Sequence, residues 1–319
     1  MPSKGKTCMR RLLFYPSLAF FWITRLLPLP MARLLGVGLA RIAWHVVPRM
    51  KKIGRANLEL AYGDSLNDAE KDRILRGAVR NLGIVAVEFS RMNRLTPEQI
   101  DRYVSVKGFS NVSRDRGAVM VGAHLGNWEW LMPAGARLGL DMIIVVREFD
   151  EPRMNAIVDR VRQGSGARTI AKNAAMSPLL RKVREGAVVG LLADQSPRDN
   201  GVPVTFFGRP TWATAGPVLI ALRARVPVHP LSMVRDENGN YTLEFFPALE
   251  MTHSGNLFQD LEENTQRCQD ALEAVIRAHP DQWLWFHRRW KARDRLEREW
   301  NARKNRRNPR DLPPEKEPR

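Results

Sequence analysis

The residues of this sequence best placed to do chemistry are a histidine and a glutamate five positions apart. In the segment AVMVGAHLGNWEW (118–130), His124 follows an apolar run and Glu129 lies just beyond Gly126. If the backbone turns at the glycine, the carboxylate can bind one imidazole nitrogen and leave the other to accept a proton from an alcohol. This is the logic of the serine-hydrolase triad without the serine, so a substrate hydroxyl would be the nucleophile. We therefore predict that His124 and Glu129 form a general-base pair.

The same pattern has a structural interpretation, in which His124 is a core histidine with satisfied hydrogen bonds. No second His or Cys stands at the spacing of metal ligands, so we expect neither a metal nor a cofactor. The two cysteines, Cys8 and Cys268, lie far apart and form no disulfide framework. Their arrangement favours a reducing compartment.

A strand and a helix must position the pair. From Ala118 onward, short apolar runs alternate with helical segments, which predicts an α/β domain with a mostly parallel central sheet flanked by helices. The runs are AVMVGA, MIIVV, AVVGLL, VPVHPLSMV and YTLEFF, and the helical segments include Glu151–Gln163, Ser177–Glu185 and Asn256–Ala278. Catalytic groups of such sheets gather beyond the carboxyl ends of the strands, as His124 does. Asn127 is a good cap for a helix that starts at Trp128 and has Glu129 in its first turn.

The N-terminal segment is apolar and aromatic. Leu12–Thr24 (LLFYPSLAFFWIT) is shorter than the roughly 20 apolar residues that span a bilayer, and it contains Pro16. A buried core helix is one interpretation, and a cleaved signal peptide is disfavoured because no good cleavage site follows. We favour an N-terminal hydrophobic anchor helix, either a tilted span or a helix lying in the interface.

These patterns divide the chain into three parts: a membrane anchor over residues 1–30, a catalytic domain over 31–290 and a basic tail over 291–319. Within the domain, residues 57–92 read as one helix with a possible cap at Asn67. The tail is too polar to build a core, so we predict it to be disordered.

The charge balance is strongly basic, with 51 Lys and Arg against 34 Asp and Glu and a formal net charge of +17. Such a surface attracts nucleic acid, an anionic membrane, phosphorylated substrates or an acidic protein. A nucleic-acid-binding protein would explain the charge. It would leave the apolar N-terminus and the histidine–glutamate segment unexplained, and no recognition motif is present. We therefore disfavour nucleic acid as a partner.

Three blocks of the sequence resemble a known family. HLGNWEW (124–130), DQSPRDNGVPVTFFGRPTWAT (194–214) and DQWLWFHRRWK (281–291) are similar, in this order, to signature blocks of the lauroyl/myristoyl transferases, the late acyltransferases of lipid A biosynthesis. The similarity runs from the N-terminal apolar segment to about Lys291. It implies an O-acyltransferase with a fold like that of the glycerolipid acyltransferases.

The resemblance assigns roles to several residues. His124 and Glu129 match the catalytic histidine and acid of the family. Residues implied in substrate or oxyanion binding are Gly126, Asn127, Arg147, Asp194 and Gln195. The residues alone leave alternatives open, since Arg147 could pair with a neighbouring acid and Asp194 could orient Arg147 or His124, or cap a turn.

Aromatic residues in the last two blocks have two interpretations each. Phe206, Phe207 and Gly208 offer an apolar wall and a tight turn that suit an acyl pocket, although paired phenylalanines are more often plain core. Trp283, Trp285, His287 and Trp290 interleave with arginines, a pattern also found in single-stranded nucleic-acid binding. The resemblance makes this segment structural or lipid-facing, and we do not choose His287 for catalysis because the sequence places no acid beside it.

The resemblance also implies substrates and a location. The donor would be acyl-acyl carrier protein, and the acceptor a hydroxyl on a Kdo-bearing, phosphorylated lipid A precursor. The enzyme would act at an anionic membrane surface, the bacterial inner membrane, with its catalytic domain on the cytoplasmic side. A related transferase for a lysophospholipid, a phosphatidylinositol mannoside or an aminolipid is the alternative, because its chemistry would be identical.

Overall fold

The computed structural model describes residues 4–113, 115–146, 151–166, 168–171 and 176–305, and it confirms the α/β prediction. The helices of this part of the chain are α1 (Lys4–Leu26), α2 (Leu29–Val46), α3 (Pro48–Tyr62), α4 (Asp68–Arg91), α5 (Pro97–Tyr103), α6 (Leu131–Arg137), α7 (Pro152–Gln163), α8 (Met176–Arg184), α9 (Gly216–Ala224), α10 (Leu257–Ala278) and α11 (Asp294–Asn305). The strands are β1 (Val104–Lys107), β2 (Ala118–Gly122), β3 (Met142–Val146), β4 (Arg168–Ala171), β5 (Val188–Leu192), β6 (Gly201–Phe206), β7 (Arg209–Thr214), β8 (Val228–Arg235) and β9 (Tyr241–Phe245).

Seven strands form the central sheet in the order β1-β9-β8-β2-β5-β3-β4. All neighbouring pairs are parallel except β8 and β9. The side chains of β2 alternate between two apolar clusters: Val119 and Val121 belong to one, Ala118 and Met120 to the other. The sheet is therefore buried on both faces, as parallel sheets are, and the carboxyl ends of β2, β3, β5 and β8 meet at one edge.

The helix predicted over residues 57–92 is two helices, α3 and α4. Gly63, at φ +50°, ends the first. The second begins at the predicted cap, where the Asn67 side chain accepts the Glu70 N–H at 3.0 Å and the Glu70 carboxylate accepts the Asn67 N–H at 2.8 Å. This reciprocal capping box restarts the chain in a new direction.

The N-terminal segment forms α1 and α2, which both pack on α4. Thr24 is buried there, with its hydroxyl 2.8 Å from that of Ser90. No helix within the described residues is long and apolar enough to cross a membrane, so the predicted anchor is not present as a span. Both helices nevertheless expose large apolar side chains, namely Tyr15, Trp22, Ile23 and Leu26 on α1 and Met31, Leu34, Leu39, Ile42 and Val46 on α2.

Strands β6 and β7 form a hairpin outside the central sheet. Phe207 and Gly208 make its turn at φ +51° and +69°, the double positive φ of a type I′ turn. The rings of Phe206 and Phe207 are buried against Trp283 and Trp285 in an aromatic core cluster. This is the plain-core alternative that the sequence left open, and a role for these residues at an acyl pocket stays a prediction.

The prediction of a disordered tail over residues 291–319 is wrong for the first half of that segment. Helix α11 packs against β6 with Leu296 and Trp300 buried. The Trp300 indole N–H also donates to Glu262 of α10 at 3.1 Å. These two apolar side chains stand four positions apart, so they share the helix face that packs on the domain. Residues 306–319 lie outside the described residues.

Candidate active site

Two neighbouring strands place His124 and Asp194 side by side. Strands β2 and β5 are parallel, and Gly122 pairs with Leu192 at their carboxyl ends. His124 lies two residues after the end of β2, and Asp194 lies two residues after the end of β5. Because the last residues of the two strands are paired, these equal offsets bring the two side chains together. The Ala193 N–H donates to the Gly122 carbonyl at 3.0 Å and carries the pairing into the loop.

Asp194 binds His124 at two points. Its Oδ1 lies 2.8 Å from the imidazole Nδ1, and its Oδ2 accepts the His124 backbone N–H at 3.0 Å. The indole N–H of Trp283 donates to the same Oδ2 at 2.8 Å. The carboxylate is buried, whereas 21% of the His124 side chain is exposed. Nδ1 is thus fixed to the carboxylate, and Nε2 has no hydrogen-bond partner in the described part of the chain.

The two groups shift each other's pKa. Burial alone would lower the pKa of His124, but the charge and hydrogen bond of Asp194, with a smaller effect from Glu129, raise it above 6.5. Burial alone would raise the pKa of Asp194, but the charge of His124 and the hydrogen bonds from His124 and Trp283 lower it to about 2. Asp194 is therefore ionised at neutral pH, and it stabilises the imidazolium that forms when His124 takes up a proton.

Glu129 does not bind the imidazole, and this part of the sequence prediction is wrong. Its carboxylate forms a two-point ion pair with Arg162 of α7, at 2.8 Å to Nη2 and 3.2 Å to Nε. Asp194 fills the place expected for Glu129, which is one of the roles left open for Asp194. Glu129 acts on His124 only through its charge, so a catalytic role for Glu129 stays a prediction.

Gly126 and Asn127 hold the loop that follows β2. Gly126 has φ +57°, and a Cβ there would lie 1.7 Å from the Met233 carbonyl oxygen of β8. Asn127 donates its backbone N–H to the same oxygen at 3.0 Å and its side-chain amide to Glu88 at 2.6 Å. Its Oδ1 accepts the Trp130 N–H at 3.2 Å. Both loop residues are buried, and substrate binding by them stays a prediction.

The cap at Asn127 precedes a turn before any helix. Residues 128–130 form the turn, and α6 begins only at Leu131, three positions later than predicted. Glu129 therefore lies in the turn, from which its side chain reaches α7. This geometry directs the carboxylate to Arg162 and leaves His124 to Asp194.

Two further predicted residues add little to the site as described. Arg147 lies outside the described residues. Gln195 is half-buried and follows Asp194 directly, so it lies at the same edge of the sheet.

Comparison with known proteins decides the family. The family model for bacterial lipid A biosynthesis acyltransferases matches residues 3–292. The chain belongs to this family. It is therefore an acyltransferase of lipid A biosynthesis, as the three sequence blocks predicted.

The acyltransferase is similar to several characterised relatives. It is 25% identical over 286 residues to the lipid A biosynthesis palmitoleoyltransferase of Escherichia coli (strain K12), covering 87% of this chain and 90% of the relative. It is 24% identical over 287 residues, with the same coverage, to the lipid A biosynthesis lauroyltransferase of that strain. A phosphatidylinositol mannoside acyltransferase of Mycobacterium tuberculosis (strain CDC 1551 / Oshkosh) is 29% identical over 184 residues, 55% of each chain.

Among solved structures, the acyltransferase matches that of the 1-acyl-sn-glycerophosphate acyltransferase PlsC from Thermotoga maritima. The match covers 77% of this chain and 98% of that one, at 15% identity and a TM-score of 0.34. A glycerolipid-acyltransferase-like fold therefore stays a prediction, whereas the mostly parallel α/β sheet is observed directly.

The C-terminal block of the acyltransferase, residues 281–291, holds the loops of the site in place. The sequence did not reveal this role. Besides the bond from Trp283, the Leu284 N–H donates to the His124 carbonyl at 3.0 Å. The fully buried Arg289 donates to Gln269 at 2.8 Å, and Gln269 donates to the carbonyl of Ala193 at 3.1 Å. This block is thus structural, one of its two predicted interpretations, and it fixes the loop that carries Asp194.

Proposed function

We propose that this acyltransferase moves a fatty acyl chain from an acyl-acyl carrier protein to a hydroxyl of a Kdo-bearing lipid A precursor, with His124 as the general base. The observation that carries the proposal is the 2.8 Å contact between His124 Nδ1 and Asp194 at the shared edge of β2 and β5. Because Nδ1 is bound to a buried carboxylate, Nε2 is the nitrogen left to accept a proton.

The reaction needs one proton to move from the acceptor oxygen to the donor sulfur. Nε2 of His124 takes the hydroxyl proton while the oxygen attacks the thioester carbonyl carbon, and an oxyanion forms. When this tetrahedral intermediate collapses, the C–S bond breaks and the imidazolium returns the proton to the leaving thiolate. The products are an ester and a free thiol. Asp194 stabilises the imidazolium between the two steps.

Glu129 takes a positioning role in this mechanism. Its ion pair with Arg162 ties the turn after the His124 loop to α7. Both side chains are largely buried, at 13% and 14% exposure, so the pair is better shielded from water than a surface ion pair. Its negative charge also favours the imidazolium form of His124.

The basic charge of the chain fits the proposed substrates. A net charge of +17 attracts an acidic carrier protein and a phosphorylated lipid alike, and it accelerates their encounter with the enzyme. The donor and the acceptor are therefore both drawn to the same surface.

We place the enzyme on the cytoplasmic face of the bacterial inner membrane, lying in the interface. Among the exposed apolar side chains of α1, Tyr15, Trp22 and Leu26 stand seven and four positions apart and share one helix face. On α2, Leu39, Ile42 and Val46 stand three and four positions apart, with the exposed Arg41 among them and Arg49, Lys51 and Lys52 after the helix. Apolar faces bordered by basic side chains suit the headgroup region of an anionic bilayer.

A second acceptor class is favoured by one comparison. The phosphatidylinositol mannoside acyltransferase is 29% identical to this chain, a higher identity than that of either lipid A acyltransferase, although the match covers only 55% of the chain. The proton transfer at His124 would be the same for that acceptor, for a lysophospholipid or for an aminolipid. Only the acceptor separates these reactions.

A transfer assay tests the proposal. The purified full chain in detergent receives acyl-acyl carrier proteins and acyl-CoAs with a tetra-acylated, Kdo-bearing lipid A precursor, a lysophospholipid or a phosphatidylinositol mannoside, and mass spectrometry reads the products. We expect the lipid A precursor to gain one acyl chain. His124→Ala should abolish the gain, and His253→Ala, a change at an exposed histidine, should retain it. A gain only on another acceptor would reassign the substrate, and no gain on any would contradict the proposal.

A further inference from the structure

Three arginines meet beside the loop that carries Asp194, and the proposed proton transfer uses none of them. Arg198 belongs to that loop, whereas Arg293 and Arg295 stand at the start of α11. Arg293 Nε donates to the Ser196 hydroxyl at 3.2 Å, and Arg295 Nη2 donates to the Arg198 carbonyl at 2.6 Å. The docking of α11 thus brings the side chains of Arg293 and Arg295 to the loop that carries Arg198. We call these three residues the arginine cluster.

Two of the three members of the arginine cluster form no ion pair with an acid within the described residues. Burial lowers the pKa of Arg293 most, and the charges of Arg198 and Arg295 lower it further. Arg295 pairs with Glu299 at 3.3 Å. Neither Arg198 nor Arg293 has an ion-pair partner among the residues that the structure describes. Like charges held together by packed backbone are stabilised by a bound anion.

His287 lies in the C-terminal block that bonds to the His124 loop, where the Leu284 N–H donates to the His124 carbonyl at 3.0 Å. Burial lowers the pKa of His287 to about 4; the charge of Asp194 raises the pKa, whereas the charges of Arg289, His124 and Arg293 lower it. The imidazole is therefore neutral at physiological pH. Its Nδ1 is buried and has no hydrogen-bond partner in the described ranges. A bound substrate is one partner that would satisfy this buried nitrogen.

We propose that the arginine cluster binds a phosphate group of a substrate whose reacting group lies at His124. The inference rests on the proposed function and adds the feature by which the substrate is held. Guanidinium forks match the oxygens of a phosphate, and the bonds are charge-assisted. Two substrates carry such a group: the acceptor has sugar phosphates, and the donor has the phosphate that links its pantetheine arm to the carrier protein.

Calorimetric titration with inorganic pyrophosphate tests the cluster without any turnover. The full chain in detergent, at fixed ionic strength, should bind pyrophosphate, and Arg293→Gln and Arg198→Gln should each weaken binding about tenfold. Arg76→Gln, at an exposed arginine of α4, is the matched control and should bind as the wild type does. Equal binding by all four proteins would mean adventitious anion binding and would overturn the proposal. Because no acyl substrate is present, this result is independent of the transfer reaction.

Steady-state kinetics of the same variants identify the source of the phosphate. If the acceptor brings it, the KM for the acceptor should rise about tenfold in Arg293→Gln while the KM for the acyl donor stays unchanged. The reverse pattern supports the site but assigns the phosphate to the donor. Arg293→Lys should recover part of the loss, since a charge remains. Unchanged KM values for both substrates, with thermal unfolding like that of the wild type, would refute phosphate binding by the cluster.

Discussion

At the scale of single residues, two carboxylates act on one histidine in different ways. Asp194 is buried and hydrogen-bonded to His124, whereas Glu129 bonds to Arg162 and acts on His124 through its charge. Removing a hydrogen-bonded carboxylate disturbs the tautomer and orientation of an imidazole. Removing a carboxylate that is not bonded only weakens the electrostatic stabilisation of the imidazolium. The two acids therefore should not be equivalent in activity.

We expect Glu129→Gln to lower kcat/KM about tenfold, because the ion pair that ties the turn to α7 is lost. Arg162→Met should cause a similar loss for the same reason. The double variant should lose little more than either single variant, which a double-mutant cycle from steady-state rates would measure. Losses that multiply in the double variant would show that the two residues act separately.

At the scale of elements, the loop after β2 depends on one backbone conformation. Gly126→Ala should lower the unfolding midpoint strongly and abolish activity, because φ is positive and the new Cβ meets the Met233 carbonyl. Gly139→Ala is the matched control, since Gly139 has φ +78° and open space around its Cβ position. It should cost only about 1–2 kcal/mol, the cost of left-handed backbone. Equal unfolding midpoints for the two variants would contradict this packing.

Helix α11 should contribute measurably to stability. We expect Leu296→Ala to lower the free energy of unfolding by about 2–5 kcal/mol, because a buried side chain is removed and a cavity is left. Arg298→Ala, at an exposed position of the same helix, should change it by less than about 0.5 kcal/mol. Thermal or denaturant unfolding of both variants measures the difference. A Leu296→Ala variant as stable as Arg298→Ala would mean that α11 is not docked.

Local sequence signals predicted most of these elements. The apolar runs of β2, β3, β5, β8 and β9 and the cap at Asn67 depend on neighbouring residues, so they could be predicted without the fold. Strand β1 exposes three of its four residues and has no apolar run. The two buried apolar residues of α11, Leu296 and Trp300, are surrounded in the sequence by charged residues, so they show no apolar pattern. These two elements exist because of what they pack against.

The partner of His124 needed information that no local pattern holds. Strand β2 pairs with β5 although β3 and β4 lie between them in the chain, and only this order brings Asp194 to His124. The spacing of Glu129 suggested a nearer partner, but the turn at residues 128–130 directs its side chain to α7. Strand order, which is non-local, decides between the two acids.

At the scale of the whole molecule, the apolar faces of α1 and α2 should bind membranes. We expect the protein to float with vesicles that contain anionic lipid and to float less with vesicles of phosphatidylcholine alone, because exposed basic residues lie in α2 and directly after it. Leu34→Glu combined with Ile42→Glu should reduce flotation, since charges would enter the apolar region. Val106→Glu, at an exposed apolar residue of β1, is the control and should float normally. Flotation unaffected by the α2 changes would contradict the proposed surface.

The most direct test of the general-base pair is the pH dependence of kcat/KM for the wild type and for Asp194→Asn. A general base must be neutral, so wild-type activity should rise with pH, with a midpoint above 6.5 because Asp194 raises the pKa of His124. The amide lacks the charge that raises this pKa. In Asp194→Asn the midpoint should therefore move to lower pH, and the plateau should fall by about 10³–10⁴-fold. A variant that keeps the wild-type midpoint and plateau would contradict the pairing of His124 with Asp194.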